Sequence, residues 1–189
     1  MKTLLHVGCG HEDKSQIKGF NNDNWKEIRF DIDKNVNPDI EGTLTDMSLV
    51  ETGSVDAVYS SHNIEHIYPH EVLIALKEFY RVLKDDGIVV ITCPDLQGVC
   101  EAVVNDRLLE PLYESSAGPI SPIDILYGYR KDVAKGNEYM AHKGGFTYTS
   151  LNTSFFEAGF KARYGGRFSD QGAPNLYLVA FKQKVPEEE

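Results

Sequence analysis

One stretch constrains the fold of this chain more than any other: a helical pattern that runs directly into an apolar strand. From about Pro69 to Lys84, residues Val72, Ala75, Leu76, Phe79, Val82 and Leu83 share one face at the 3.6-residue period. Asp86-Gly87 is expected to terminate that helix, and Ile88 to Thr92 follow as a near-continuous β-branched run. A strand without a polar face needs cover on both sides, as a central strand of a parallel sheet has. The rest of the chain keeps this alternation. Strands are expected at Thr3 to Val7, Glu27 to Asp31, Ile40 to Leu44 and Val55 to Ser60. Asp95 is placed to cap a helix whose apolar positions are Leu96, Val99, Cys100 and Val103. A further helix near Ser150 to Ala158 closes on Gly159, and strands at Phe160 to Tyr164 and Leu176 to Lys182 are close enough to pair antiparallel across Gly165-Gly166 and Gly172-Ala173-Pro174.

The fold class this implies is α/β, a Rossmann-like doubly wound sheet, mostly parallel, with an antiparallel final strand pair. The 189 residues fit one domain. Two segments depart from the alternation. His11 to Trp25 is polar and has room for at most a turn or two of helix. Between about Glu110 and Tyr148 the pattern dissolves into Pro, Gly, Ser and aromatics, including Tyr113, Tyr127, Tyr129, Tyr139 and Tyr148. So long an irregular insertion in a compact domain reads as a functional lid. Pro186 to Glu189 reads as a solvated tail.

Charge and cysteine usage exclude some functions. With 19 Lys+Arg against 29 Asp+Glu the net charge is −10, and no basic stripe is present to track a phosphate backbone or an anionic lipid surface. Neither nucleic acid nor a membrane is therefore an expected partner. Cys9, Cys93 and Cys100 have neither zinc-like spacing nor the density of a disulfide framework. His6 interrupts the apolar start, which is too short for a secretory leader, and the expected location is the cytoplasm.

In doubly wound sheets ligands bind outside the carboxyl ends of the strands, so chemistry is sought there. Gly8-Cys9-Gly10 follows the first strand, where glycines allow close backbone approach and leave N–H groups free. Asp31 ends the second strand 21 residues after Gly10, near the offset of about 20 at which a carboxylate meets an adenosine ribose. A dinucleotide would need a glycine where Asp13 stands, and its pyrophosphate would meet Glu12 and Asp13. The ligand reads as an adenosine without phosphates.

These segments resemble the class I S-adenosylmethionine-dependent methyltransferases, particularly the type 11-like group, closely over residues 3–95 and loosely over 150–182. Leu4 to Gly10 is similar to the family's first motif, Phe30-Asp31-Ile32-Asp33 to its ribose-binding motif, and Thr45-Asp46-Met47-Ser48 to its adenine-binding segment. Ser54 to Tyr59, Glu65-His66-Ile67, Glu78 to Gly87, Val89 to Pro94 and Glu157 to Phe160 continue the series in order. The resemblance implies a seven-stranded sheet and S-adenosyl-L-methionine as cofactor. It implies cofactor contacts from Gly8, Cys9, Gly10, Asp31, Ile32, Asp46, Met47, Ser61 and His62. His6 replaces the acidic residue that orients the first loop in many members, and Glu12 replaces a third glycine.

The activity implied is in-line methyl transfer to a small-molecule acceptor by a monomer or homodimer. Such chemistry needs positioning and desolvation, with a base only where the acceptor loses a proton. His62 and His142 are the candidate bases, and Tyr127, Tyr129 and His142 the candidate acceptor-pocket residues. No metal ligands are assigned. One alternative is a zinc hydrolase, since His62-Asn63-Ile64-Glu65-His66 spells the inverted zinc signature; that chemistry needs both histidines on one helical face. The other is an inactive cofactor-binding module, suggested by His6 and Glu12.

Overall fold

A computed structural model describes residues 1–183, so the predicted tail at Pro186 to Glu189 lies outside the described residues. Seven strands form one sheet: β1 Lys2–Val7, β2 Trp25–Asp31, β3 Ile40–Glu41, β4 Val55–Ser61, β5 Leu83–Pro94, β8 Ala162–Asp170 and β9 Ala173–Phe181. Their order is β3-β2-β1-β4-β5-β9-β8. β1 to β5 pair in parallel, whereas β9 runs antiparallel to both of its neighbours. This is the mostly parallel α/β sheet with a closing antiparallel pair that the sequence predicts. The strand order reverses at β1, so β1 and β4 flank the crevice where ligands bind in such sheets.

The alternating side chains of the central strands divide two cores. Leu5, Val7, Val58, Val89 and Ile91 pack against helices α1 (Val72–Val82) and α5 (Tyr148–Glu157) through Leu76, Phe79, Leu151 and Phe155. Each such side chain, fully withdrawn from water, contributes about 1.5–3 kcal/mol. On the opposite face Leu4 and Ala57 are covered by Ile17 and Phe20 from the first crossover and by Trp25 at the start of β2. That crossover holds a single 3-10 turn, Lys14–Gln16, in agreement with its polar sequence. Helix α5 ends as expected. Gly159 takes a φ of 112°, its N–H reaches the Phe156 carbonyl, and the Phe160 N–H reaches that of Phe155, a Schellman closure. Helix α2 (Leu96–Val104) starts on Asp95, whose carboxylate accepts the Gln97 N–H.

Four expectations need correction. Helix α1 stops at Val82, because Leu83 is already extended and opens β5. Asp86-Gly87 therefore lies inside β5, in a bulge that lets Leu83 pair with Val55 and Ile88 with Ala57. Gly165-Gly166 lies within β8, and the turn between the last strands is Gln171-Gly172, with φ of 48° and 94°. Positive φ at both central turn residues suits a tight hairpin. Finally, the 110–148 segment is structured. It holds a hairpin of β6 (Tyr113–Ser115) and β7 (Gly118–Ile120), then α3 (Pro122–Tyr127), α4 (Arg130–Val133) and a 3-10 turn at Glu138–Met140. Ile120 and Ile125 of this segment form a small core with Val99 of α2. Among the described residues no helix is long and apolar enough to cross a membrane.

Candidate active site

Two adjoining cavities open at the carboxyl ends of β1, β2 and β4. The first, of about 440 Å³, is within the usual size of a small-molecule site. Gly8, Gly10, Asp31, Ile32, Thr43, Leu44 and His62 line it. A Cβ at Gly8 would lie 2.3 Å from Asn63 Nδ2, so the loop passes too close to tolerate a side chain. Gly10 faces open space but has a φ of 52°, which glycine adopts without strain.

Asp31 holds this loop in place. Its Oδ2 accepts the Gly10 N–H at 2.8 Å and its Oδ1 accepts the Asp33 N–H at 2.9 Å. Each carboxylate oxygen has a second lone pair, so Asp31 can still accept from a vicinal diol in the cavity. Nothing in the sequence pattern singles out Arg29, which donates to the carbonyls of Gly10, Glu12, Val36 and Asn37 and joins the glycine loop to the loop after β2. The change at His6 is also resolved. Its Nδ1 meets Glu27 Oε1 at 2.8 Å, and Glu27 Oε2 accepts the Lys14 N–H at 2.9 Å. The carboxylate that organises the first loop is thus supplied from β2 instead of β1.

Four residues implied as cofactor contacts lie outside the cavity. Asp46 points to the surface, where its carboxylate caps the Ser48 N–H. Met47 is buried in the core and its N–H is taken by Glu78 Oε2 at 3.0 Å. Glu78 and Arg81 together fasten this loop, since Arg81 also donates to the carbonyls of Met47 and Val50. The cavity wall here is one turn earlier, at Gly42 to Thr45. The Cys9 side chain is buried behind the loop, and desolvation pushes its thiol up to about 11. Ser61 Oγ pairs with Thr92 Oγ1 at 2.7 Å.

The second cavity, of about 250 Å³, is walled largely by the 110–148 segment, including Tyr113, Ile125, Tyr129 and His142. His62, His66 and Met140 line both cavities. Of the predicted acceptor-pocket residues, Tyr129 and His142 line the second cavity. Tyr127 lines neither cavity and is 67% exposed. Tyr113 and Tyr139, which are not among the predicted pocket residues, line the second and first cavities respectively.

His62 sits at the end of β4 with a φ of 48°, its N–H bonded to the Thr92 carbonyl. Its Nδ1 is 3.5 Å from Glu65 Oε1. Burial opposes charge on this imidazole, but the Glu65 carboxylate outweighs it and raises the pKa. Glu65 itself is fully buried; burial pushes its carboxyl up, and the surrounding His62, His66 and His142 pull it below the usual range. Burial holds His142 below the ordinary imidazole value. Only the three-residue 3-10 turn Ile64–His66 follows β4. The helical face that the inverted zinc signature requires is not formed.

The family model described as a methyltransferase domain matches residues 5–91. No curated protein matches the chain. A SAM-dependent methyltransferase from Archaeoglobus fulgidus is similar in structure, with 14% identity and a TM-score of 0.62 over 95% of this chain and 86% of that one. One from Methanosarcina mazei has 16% identity and a TM-score of 0.59, covering 95% of this chain and 90% of its own. The 1,6-didemethyltoxoflavin-N1-methyltransferase of Burkholderia thailandensis, solved with 1,6-didemethyltoxoflavin and S-adenosylhomocysteine, has 15% identity and a TM-score of 0.58, covering 97% and 72%. Residues 5–91 match the methyltransferase-domain model, and the chain shares its fold with S-adenosylmethionine-dependent methyltransferases.

Proposed function

We propose that the protein transfers a methyl group from S-adenosylmethionine to a small-molecule acceptor, with the donor in the first cavity and the acceptor in the second. The observation that carries this reading is the shared wall: His62, His66 and Met140 face both spaces, so two bound molecules would meet there. When bound, S-adenosylmethionine supplies a methyl group on a cationic sulfonium, open to in-line displacement by an acceptor lone pair.

The chain's own residues do the rest. Gly8 and Gly10 give the donor a close backbone approach, and Asp31 accepts from its ribose hydroxyls. The carboxylates of Asp31, Asp33 and Glu71 along the first cavity suit a cationic ligand. Tyr113 and Tyr129 give the acceptor an aromatic wall. The 110–148 segment acts as a lid that excludes water, which favours positioning of the two reactants. His62, on the shared wall, is the group assigned to take a proton from an acceptor that must lose one.

The test is incubation with methyl-labelled S-adenosylmethionine and a panel of small hydroxy-, amino- and carbon-acid acceptors. Labelled product is expected from the native chain and none from Asp31→Ala. Donor binding without turnover on any acceptor would instead support an inactive cofactor-binding module.

A further inference from the structure

Glu65 is the group whose environment is least explained by methyl transfer. Neither of its buried carboxylate oxygens has a hydrogen-bond partner; only His62 Nδ1 comes near, at 3.5 Å from Oε1, and the residue is 1% exposed. A carboxylate withdrawn from water is costly unless it is paired or coordinates a metal. Its backbone is fixed from the lid side: the Glu65 carbonyl accepts the N–H groups of Lys143 and Gly144 at 2.9 and 3.0 Å. This docking brings His142, distant in sequence, against the Ile64–His66 turn. Ligand-capable atoms of Glu65, His66 and His142 all lie within 4.8 Å of one another.

Each of the two imidazoles is held through Nδ1 by a backbone carbonyl. His66 Nδ1 is 3.1 Å from the Ala141 carbonyl, and His142 Nδ1 is 2.6 Å from the Ile125 carbonyl. A carbonyl can only accept, so each ring donates its Nδ1–H there and keeps a lone pair on Nε2. Fixing a ligating histidine through its other ring nitrogen is the usual outer support of a metal site. Two imidazoles and one carboxylate form a donor set suited to zinc and related divalent ions, with at least one coordination position left open.

We propose that Glu65, His66 and His142 bind one divalent transition-metal ion of the zinc class, with its open position facing the second cavity, which all three residues line. The ion supplies the close partner that the Glu65 oxygens lack, since His62 Nδ1 approaches Oε1 only to 3.5 Å. This set is not the H-x-x-E-H pattern, because His142 from the lid takes the place that pattern gives to His62. The open position selects ligands with an oxygen donor, such as a carboxylate, phenolate or enolate. That last clause rests on reading the second cavity as the acceptor site; metal binding does not.

The experiment is titration of the chelator-treated full chain with Zn²⁺ by calorimetry and with Co²⁺ by visible absorption. One equivalent is expected to bind, with a cobalt d–d spectrum of low coordination number. His142→Gln and Glu65→Gln are expected to weaken binding by at least about 100-fold, while His70→Gln, on the exposed Tyr68-His70 stack, leaves it unchanged. Should Glu65→Gln fail to fold by circular dichroism, His142→Gln at the half-buried lid residue carries the test. No stoichiometric metal in the native chain, or equal binding by His142→Gln, overturns the proposal. S-adenosylhomocysteine is titrated into the same samples, so that a failure of donor binding is separated from a failure of metal binding.

Discussion

The two cavities are built by different means. The first is formed by strand ends and the short loops that leave them, and local contacts close each part of it. Gly10 is held by Asp31, the first loop by Glu27 and Arg29, and the 43–50 loop by Glu78 and Arg81. The second is formed largely by an insertion that shares a small core with Val99 of α2, is braced internally by Asp124 and Arg130, and docks through a few polar contacts, chiefly at Glu65 and His66. A site of the first kind is fixed once the sheet forms. A site of the second kind also needs the insertion to dock, and can vary in sequence while the sheet does not. The donor is common to a fold and the acceptor differs between proteins, so this division matches the two roles proposed.

The largest effect that separates the two halves is expected for Gly8→Ala. The left-handed backbone alone costs about 1–2 kcal/mol, and the new Cβ must also displace Asn63. Chemical denaturation should show that loss, and calorimetry should show donor binding abolished. An intermediate effect is expected for Arg29→Ala, which frees four loop carbonyls without opening the core. Donor affinity should fall roughly tenfold or more, or about 1.4 kcal/mol, with hydrogen exchange in residues 113–129 unchanged.

The insertion has its own acid dependence. Burial raises the Asp124 pKa, but the Arg130 guanidinium and the amides of Ser121 and Arg130 outweigh it and lower the value. The folded pKa is therefore below the unfolded value of about 3.9. The stabilisation is full above about pH 4 and is lost as pH falls through the lowered folded value. Hydrogen exchange in residues 113–129 should quicken on acidification in the native chain. In Asp124→Asn it should already be faster at pH 7 and depend less on acid. The smallest effect is expected for Asp46→Ala, whose carboxylate faces solvent away from both cavities. Donor affinity should stay within about twofold, as for surface changes generally, and a large loss would show that this loop contacts the donor.

Legibility in the sequence follows the same division. Ile88 to Thr92, the G-x-G turn and Asp31 are local signals: a period, a φ requirement and a fixed offset, each decided by neighbours in the chain. The bulge at Asp86-Gly87 was not legible, because a breaker pair after a helix looks the same whether the chain turns or bulges within a strand. Asp46 and Met47 carry the expected pattern, yet the Met47 backbone is bonded to Glu78 and Arg81, about 30 residues away in the chain, and Asp46 and Met47 lie outside the first cavity. The meeting of Glu65, His66 and His142 depends on the docked lid, and nothing near His142 in the chain announces it. Arg29 reads as a strand residue until the loops it bridges are seen in space.

The most direct test of the account is calorimetric titration of S-adenosylhomocysteine into the native chain and into Asp31→Ala. One equivalent is expected to bind the native chain and none measurably to Asp31→Ala, with both chains folded by circular dichroism. Absence of binding in the native chain, or equal affinity in Asp31→Ala, would contradict the assignment of the first cavity to the methyl donor.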